Sequence, residues 1–239
     1  MVLIDVKYFE ALIFDLDGVI LSRRAAQTGA AFVPFDLEND YRRYVDGKPR
    51  NAGVSSFLAA RGVTVPTGGS GDSAEQQTVH GLARRKDHYF VELLTHEGVR
   101  VFPSAKPLLG EARIHGMRTA VASSSHHCAE ILQAAGLTAL FDARVDGIDI
   151  DRFGLTGKPA PDMFLETARR LSSSPPCTVV FEDAAAGVEA ARAGNFGLVI
   201  GVGPAAHAME LLEHGADKIV ADLGEVRLEG TRTSGRGPQ

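Results

Sequence analysis

Two rhythms of apolar and polar positions run along the chain. From Phe102 onward, short apolar-rich runs (MRTAVA, CTVVF, FGLVIGV and DKIVA) alternate with stretches in which apolar residues recur every three or four positions. The runs predict buried strands. The stretches predict helices near 105–115, through ILQAAG to a stop at Gly136, over 162–171, through AAAGVEAARAG and around 205–214. Near the start, ALIF at 11–14 is a run of the same kind, and it ends in acid and glycine as a buried parallel strand does when it delivers a loop at its carboxyl edge. Strands alternating with helices of this length predict an α/β fold: a doubly wound, Rossmann-like parallel sheet whose ligand site lies beyond the carboxyl ends of the strands. The strand ends that matter are then those after Phe14, Ala122 and Phe181 and one in the region before Lys158.

Between about 21 and 100 the alternation stops. That stretch reads as helices interrupted by PTGGSGDS at 66–73. The expected organisation is a core domain made of 1–20 and 101–229, a small helical cap domain at 21–100 inserted after the first strand and lying over the active edge, and a disordered tail at 230–239, where apolar periodicity is lost. No internal repeat is present.

Composition narrows the function. With 44% hydrophobic and 23% charged residues the chain is of the ordinary globular kind. A net charge of -5 argues against a basic footprint for nucleic acid, and the pairs Arg42-Arg43, Arg84-Arg85 and Arg169-Arg170 read as solvated helix faces. Cys128 and Cys177 lie far apart with no metal-ligand spacing, which gives no support to a disulfide framework or zinc site and makes a reducing cytoplasm the natural compartment. The N-terminal stretch is broken by Asp5, Lys7 and Glu10, so it reads as neither a signal peptide nor a membrane span. The sequence carries no signature of an oligomeric state.

Candidate chemistry collects at the strand ends. Asp15 and Asp17 flank Leu16 directly after ALIF: one carboxylate can attack phosphorus and the other can move a proton, although an acid-rich turn would look the same. Glu182-Asp183 follows CTVVF in the same way, either as a helix cap or as a second acidic pair at one edge. Four carboxylates there would repel one another without a cation, and hard oxygen donors suit Mg²⁺. Ser123, Ser124 and Ser125 follow MRTAVA and open the next helix, where they can seat a phosphate or simply cap. Lys158 is held between Gly157 and two prolines, where a fixed ammonium can balance a nucleophile and phosphoryl oxygens. In the cap, Val79, Leu82, Ala83, Phe90, Leu93 and Leu94 share one helical stripe with Lys86 at its centre, either snorkelling or aimed at an anion.

The ordered set DLDG, Ser123, Lys158 and Glu182-Asp183 resembles the four motifs of the haloacid dehalogenase-like superfamily. The runs GKPAPDMF and EDAAAGVEAARAG look like its β-phosphoglucomutase-type subgroup. The resemblance implies an enzyme in which Asp15 forms an aspartyl-phosphate and Asp17 is general acid and base. It also implies Mg²⁺ held by Asp15, the Asp17 backbone carbonyl and Asp183 with Glu182 assisting, a phosphoryl group bound by Ser123 and Lys158, and Lys86 and Arg50 of the cap touching substrate. The substrate it implies is a small phosphorylated metabolite, a sugar phosphate. One departure stands out: where the subgroup continues with a helix bearing His and Trp, this chain has LSRRAAQTGAAFVPFDLENDY, and no histidine occurs between Asp17 and His80. That favours a phosphatase, with water as acceptor, over the alternative β-phosphoglucomutase; a non-catalytic phosphosugar-binding protein is the remote third reading. His126 and His127, just past the serines, are further substrate-contact candidates or solvent-facing helix residues.

Overall fold

The computed structural model describes residues 1–21, 40, 44–45, 48 and 50–230, without the side chains of 93–97. Nearly all of the run LSRRAAQTGAAFVPFDLENDY, and the tail from 231, lie outside the described residues. Two compact units emerge: Met1–Ser22 with Arg100–Gln239, and Arg23–Val99.

The first unit is built on six strands, all parallel: β2 (Ala11–Phe14), β3 (Arg118–Ala122), β4 (Ala143–Val145), β5 (Thr178–Glu182), β6 (Leu198–Val202) and β7 (Lys218–Val220), in the order β4-β3-β2-β5-β6-β7. The helices between them are α3 (Ala105–Ile114), α4 (Cys128–Ala134), α5 (Gly147–Phe153), α6 (Asp162–Arg170), α7 (Ala185–Ala193) and α8 (Ala208–Glu213). From β2 the chain builds outward through β3 and β4, then returns to the other side of β2 with β5. The order therefore reverses between β2 and β5, and the crevice of a doubly wound sheet opens at such a reversal.

Every residue of β2 is fully buried, because both of its faces are covered. Ala11 and Ile13 join Ala120, Val180 and Val199 in a core with Met163, Phe164 and Ala168 of α6, Val188 and Ala191 of α7 and Leu211 of α8. On the next positions round, Phe14 stacks on Phe181 with centroids 4.6 Å apart and rings 6° from parallel. Each such buried side chain contributes about 1.5–3 kcal/mol. The aromatic pair thus seals β2 to β5 just below the residues that follow them.

Three features differ from the sequence expectation. β4 is a strand that the apolar pattern did not mark, since Arg144 occupies its middle. Lys158 does not follow a strand end; α5 intervenes, and the lysine sits on the loop between α5 and α6. A separate two-stranded parallel sheet pairs β1 (Val2–Asp5) with β8 (Val226–Glu229), joining segments from opposite ends of the chain.

The second unit contains α1 (Arg50–Ala60) and α2 (Val79–Glu97). Thr78 caps α2, its hydroxyl accepting from the Gly81 N–H at 3.0 Å, so the helix begins at Val79, a few residues past the polar break. Val79 and Ala83 of the expected stripe are buried, Leu82 and Phe90 are half-buried, and Lys86 is exposed. The side chains of Leu93 and Leu94 lie outside the described residues.

Candidate active site

The register of the ladder fixes where the acids emerge. Phe14 pairs with Phe181 on one side and Val121 on the other, so Asp15 leaves β2 level with Glu182, and Ser123 leaves β3 one step beyond. Backbone bonds carry the ladder past the strand ends: the Asp15 N–H donates to Phe181 O at 2.9 Å and the Ser123 N–H to Val145 O at 3.0 Å. Gly18, at φ 84°, then turns the chain in the left-handed region, and its N–H closes on Leu21 O at 2.8 Å. Asp17 is half-buried on this turn and bridges to Leu21 through the backbone.

Lys158 is the centre of the charge network. Its Nζ donates to Asp15 Oδ1 at 2.6 Å and to Glu182 Oε2 at 2.7 Å, and the ammonium stands 4.9 Å from the centroid of the buried Phe164 ring. The loop that carries it is anchored by the Thr156 N–H donating to Asp162 Oδ2 at 2.9 Å and by the Ala160 N–H donating to Gly157 O at 3.1 Å. Burial alone disfavours the ammonium, but the charges and hydrogen bonds of Asp15 and Glu182 outweigh it and raise the lysine pKa above its ordinary value. Glu182 also accepts the Ala184 N–H through Oε1 at 3.1 Å, so both of its oxygens are engaged. The glutamate fits only because Gly187 faces it: a Cβ there would stand 2.1 Å from Glu182 Cδ.

Asp15, Glu182 and Asp183 are all buried, and one carboxylate oxygen from each lies within 4.8 Å of the others. Three buried carboxylates that converge in this way, two of them on Lys158, make an all-oxygen donor set that fits a hard divalent cation and not a soft one.

The serines do local structural work. Ser123 Oγ accepts the Ser125 N–H and Ser125 Oγ accepts the His127 N–H, both at 3.2 Å, which shapes the turn into α4. Ser124 Oγ lies 3.8 Å from Met163 Sδ. His126 pairs with Asp151 of α5 at 2.8 Å. The core therefore brings Asp15, Lys158, Glu182 and Asp183 together in direct contact or near it, with Asp17 and Ser123 on the adjoining turns. Arg50 and Lys86 belong to the second unit, where Arg50 is paired with Asp87 at 2.6 Å. Phe164 and Asp87 were not singled out from the sequence. Phe164 ends the run GKPAPDMF and sits one helical turn past the lysine loop, which is the signal that could have found it.

Buried carboxylates gathered around a lysine at the switch point of a sheet can serve phosphoryl chemistry, and the family match makes the chain an enzyme that acts on phosphate esters. In that match, residues 9–195 fit the model of haloacid dehalogenase-like hydrolases, and the chain belongs to that family. Among its relatives, the β-phosphoglucomutase of Mycobacterium tuberculosis is 41% identical over 90% of either chain, and the phosphorylated carbohydrates phosphatase of Thermotoga maritima is 29% identical over 88% of this chain and 94% of that one. The crystal structure of β-phosphoglucomutase from Clostridium difficile superposes with a TM-score of 0.68 at 22% identity, covering 91% of this chain and 92% of its own, a likeness of fold. Among the described residues no helix is long and apolar enough to cross a membrane.

Proposed function

We propose that the chain transfers phosphoryl groups on a phosphorylated sugar through an aspartyl-phosphate at Asp15, with Mg²⁺ as cofactor. The observation that carries this reading is the buried Lys158 joined to Asp15 and Glu182 beside Asp183, at the reversal point of the sheet. Asp15 attacks phosphorus, and the sugar oxygen leaves with a proton supplied by Asp17 from the adjoining turn. Lys158 keeps the nucleophile oriented and offsets the charge that builds on the phosphoryl oxygens. Ser123, with Ser124 and Ser125 behind it, lines the phosphoryl seat. Asp15, the Asp17 carbonyl and Asp183 would hold Mg²⁺, with Glu182 assisting through its grip on Lys158. When bound, the ion supplies charge neutralisation between the carboxylates and the phosphoryl group.

Two acceptors are possible for the aspartyl-phosphate, and each has an observation in its favour. The alignment with the mycobacterial β-phosphoglucomutase covers 90% of the chain, more than the core unit alone could supply, so it runs into the 23–99 unit. This supports the mutase, in which Asp15, phosphorylated by a bisphosphate primer, passes its phosphoryl group to the 6-hydroxyl of β-glucose 1-phosphate, and the glucose 1,6-bisphosphate so formed returns its 1-phosphoryl group to Asp15 and leaves as glucose 6-phosphate. The missing histidine between Asp17 and His80 supports the phosphatase, in which water takes it. We place the mutase first, because the chain is 41% identical to that β-phosphoglucomutase and 29% identical to the Thermotoga phosphatase over similar coverage. In both, Arg50 and Lys86 read the sugar phosphate.

The deciding experiment follows β-glucose 1-phosphate with Mg²⁺ and a glucose 1,6-bisphosphate primer, recording glucose 6-phosphate and inorganic phosphate together, beside a panel of other sugar phosphates. Primer-stimulated glucose 6-phosphate with little phosphate is the mutase outcome. Metal-dependent phosphate release across the panel is the phosphatase outcome. Neither product would overturn the proposal and leave a phosphosugar-binding protein.

A further inference from the structure

Within the second unit, α1 begins on Arg50, and α2 carries Lys86 and Asp87 in succession near its middle. A terminal guanidinium nitrogen of Arg50 stands 2.6 Å from Asp87 Oδ1, with the two side chains only 25% and 22% exposed. Lys86, a 100° step round α2, is exposed. One turn of α2 thus offers a cation of its own and an anion that holds a second cation from α1.

A partly exposed ion pair such as this one is a modest stabiliser. Its effect on the arginine is more specific. A guanidinium is a planar fork of five N–H donors, and a carboxylate beside one terminal nitrogen narrows the directions in which the others can point. A fork fixed beforehand loses less freedom when it takes an anion. The carboxylate also cancels the bulk attraction of the arginine for anions in general, so what remains favours an anion that matches the fork, as phosphate does. The two helices have other ties: Asn51 Nδ2 lies 3.5 Å from the His80 ring, and Val79 and Ala83 are buried. Asp87 is therefore not the only thing that holds α1 to α2.

We infer that Asp87 is a positioning residue for the sugar-phosphate reaction: it presents the Arg50 guanidinium to the phosphosugar and shapes specificity without touching substrate. The inference rests on the reading of Arg50 as a substrate contact and adds the residue through which that contact is set.

The test is a double-mutant cycle in the full chain with Mg²⁺. Asp87→Ala raises the KM for β-glucose 1-phosphate on the order of tenfold, with a smaller change in kcat, and Asp87→Glu recovers most of the loss. In an Arg50→Ala background, Asp87→Ala adds nothing. The inference is overturned if Asp87→Ala leaves KM where it was, or if its full effect persists without Arg50. Should Asp87→Ala fold poorly, Asp87→Asn keeps the volume and an acceptor oxygen, and the same cycle applies. Calorimetric binding of β-glucose 1-phosphate to Asp15→Asn protein repeats the cycle without turnover. A wild type that binds the sugar phosphate without turning it over contradicts the proposed function alone, while the binding cycle still decides on Asp87. A wild type that does neither overturns both.

Discussion

The two units hold their charges in opposite ways. In the core, Lys158 is fully buried and bridges Asp15, 143 residues away, and Glu182, 24 residues away, with each partner emerging from a different strand or loop. In the second unit, Lys86 is exposed, and Arg50 meets Asp87 between two helices with both side chains partly in water. A buried network leaves few alternative geometries, and removing one member strands the others in a low dielectric. A solvent-screened pair tolerates change, because water replaces what is lost. The first arrangement suits chemistry, which needs a fixed geometry, and on the proposed function the second suits substrate reading.

That contrast can be broken at its strongest point first. Asp15→Asn should lower turnover by on the order of 10³-fold or more while circular dichroism stays native, because volume is kept and only the nucleophile's charge is lost. Next comes Lys158→Ala, which leaves Asp15 and Glu182 buried without their counter-charge. It should cost about 3–5 kcal/mol in urea unfolding with a chelator present, and less when Mg²⁺ is added. A loss that Mg²⁺ does not touch would mean that the acids do not share a cation.

In the second unit, Lys86→Ala should raise the KM for a sugar phosphate about tenfold and shift unfolding by no more than about 0.5 kcal/mol. An equal fall in turnover of an aryl phosphate would show that Lys86 does not read the sugar. The smallest effect sharpens the comparison inside the core unit, where Glu166 of α6 meets Arg169 and Arg170 close to solvent. Hydrogen bonds from Arg169, then Arg170, pull its carboxyl down from 4.5 to about 2. A carboxyl lowered by folding adds stability above its unfolded value, and that stability fades as pH falls through the folded one. The stability difference between wild type and Glu166→Gln should therefore be present at neutral pH and vanish as pH drops from 4.5 towards 2, which acid titration of the two proteins measures.

The parts legible in the sequence are those fixed by local pattern. β2, β3, β5 and β6 are largely buried apolar runs, β7 is a shorter run buried only at Val220, and the acids after ALIF and CTVVF stand at carboxyl edges because a parallel sheet delivers its loops there. β1 and β8 were hidden: VLID and VRLE each alternate buried and exposed residues over four positions, and their pairing joins the two ends of the chain, so no local signal links them. β4 was hidden by its length and by Arg144. At the site, the residue types were legible and their partners were not. GKPAP marks a held lysine, yet its bonds to Asp15 and Glu182 follow only from the folding of α5 and α6 around it. The space that Gly187 leaves for Glu182 is likewise a matter of packing between a strand end and the next helix.

The central claim is that Asp15 itself carries the phosphoryl group. Protein mixed with Mg²⁺ and a phosphosugar labelled on phosphorus, then quenched in acid within milliseconds, can be digested and its labelled peptide mapped. The account predicts acid-stable, base-labile label on the peptide that contains Asp15, absent from Asp15→Asn protein and absent without metal. Label on Ser123, or undiminished turnover by Asp15→Asn protein, would contradict it.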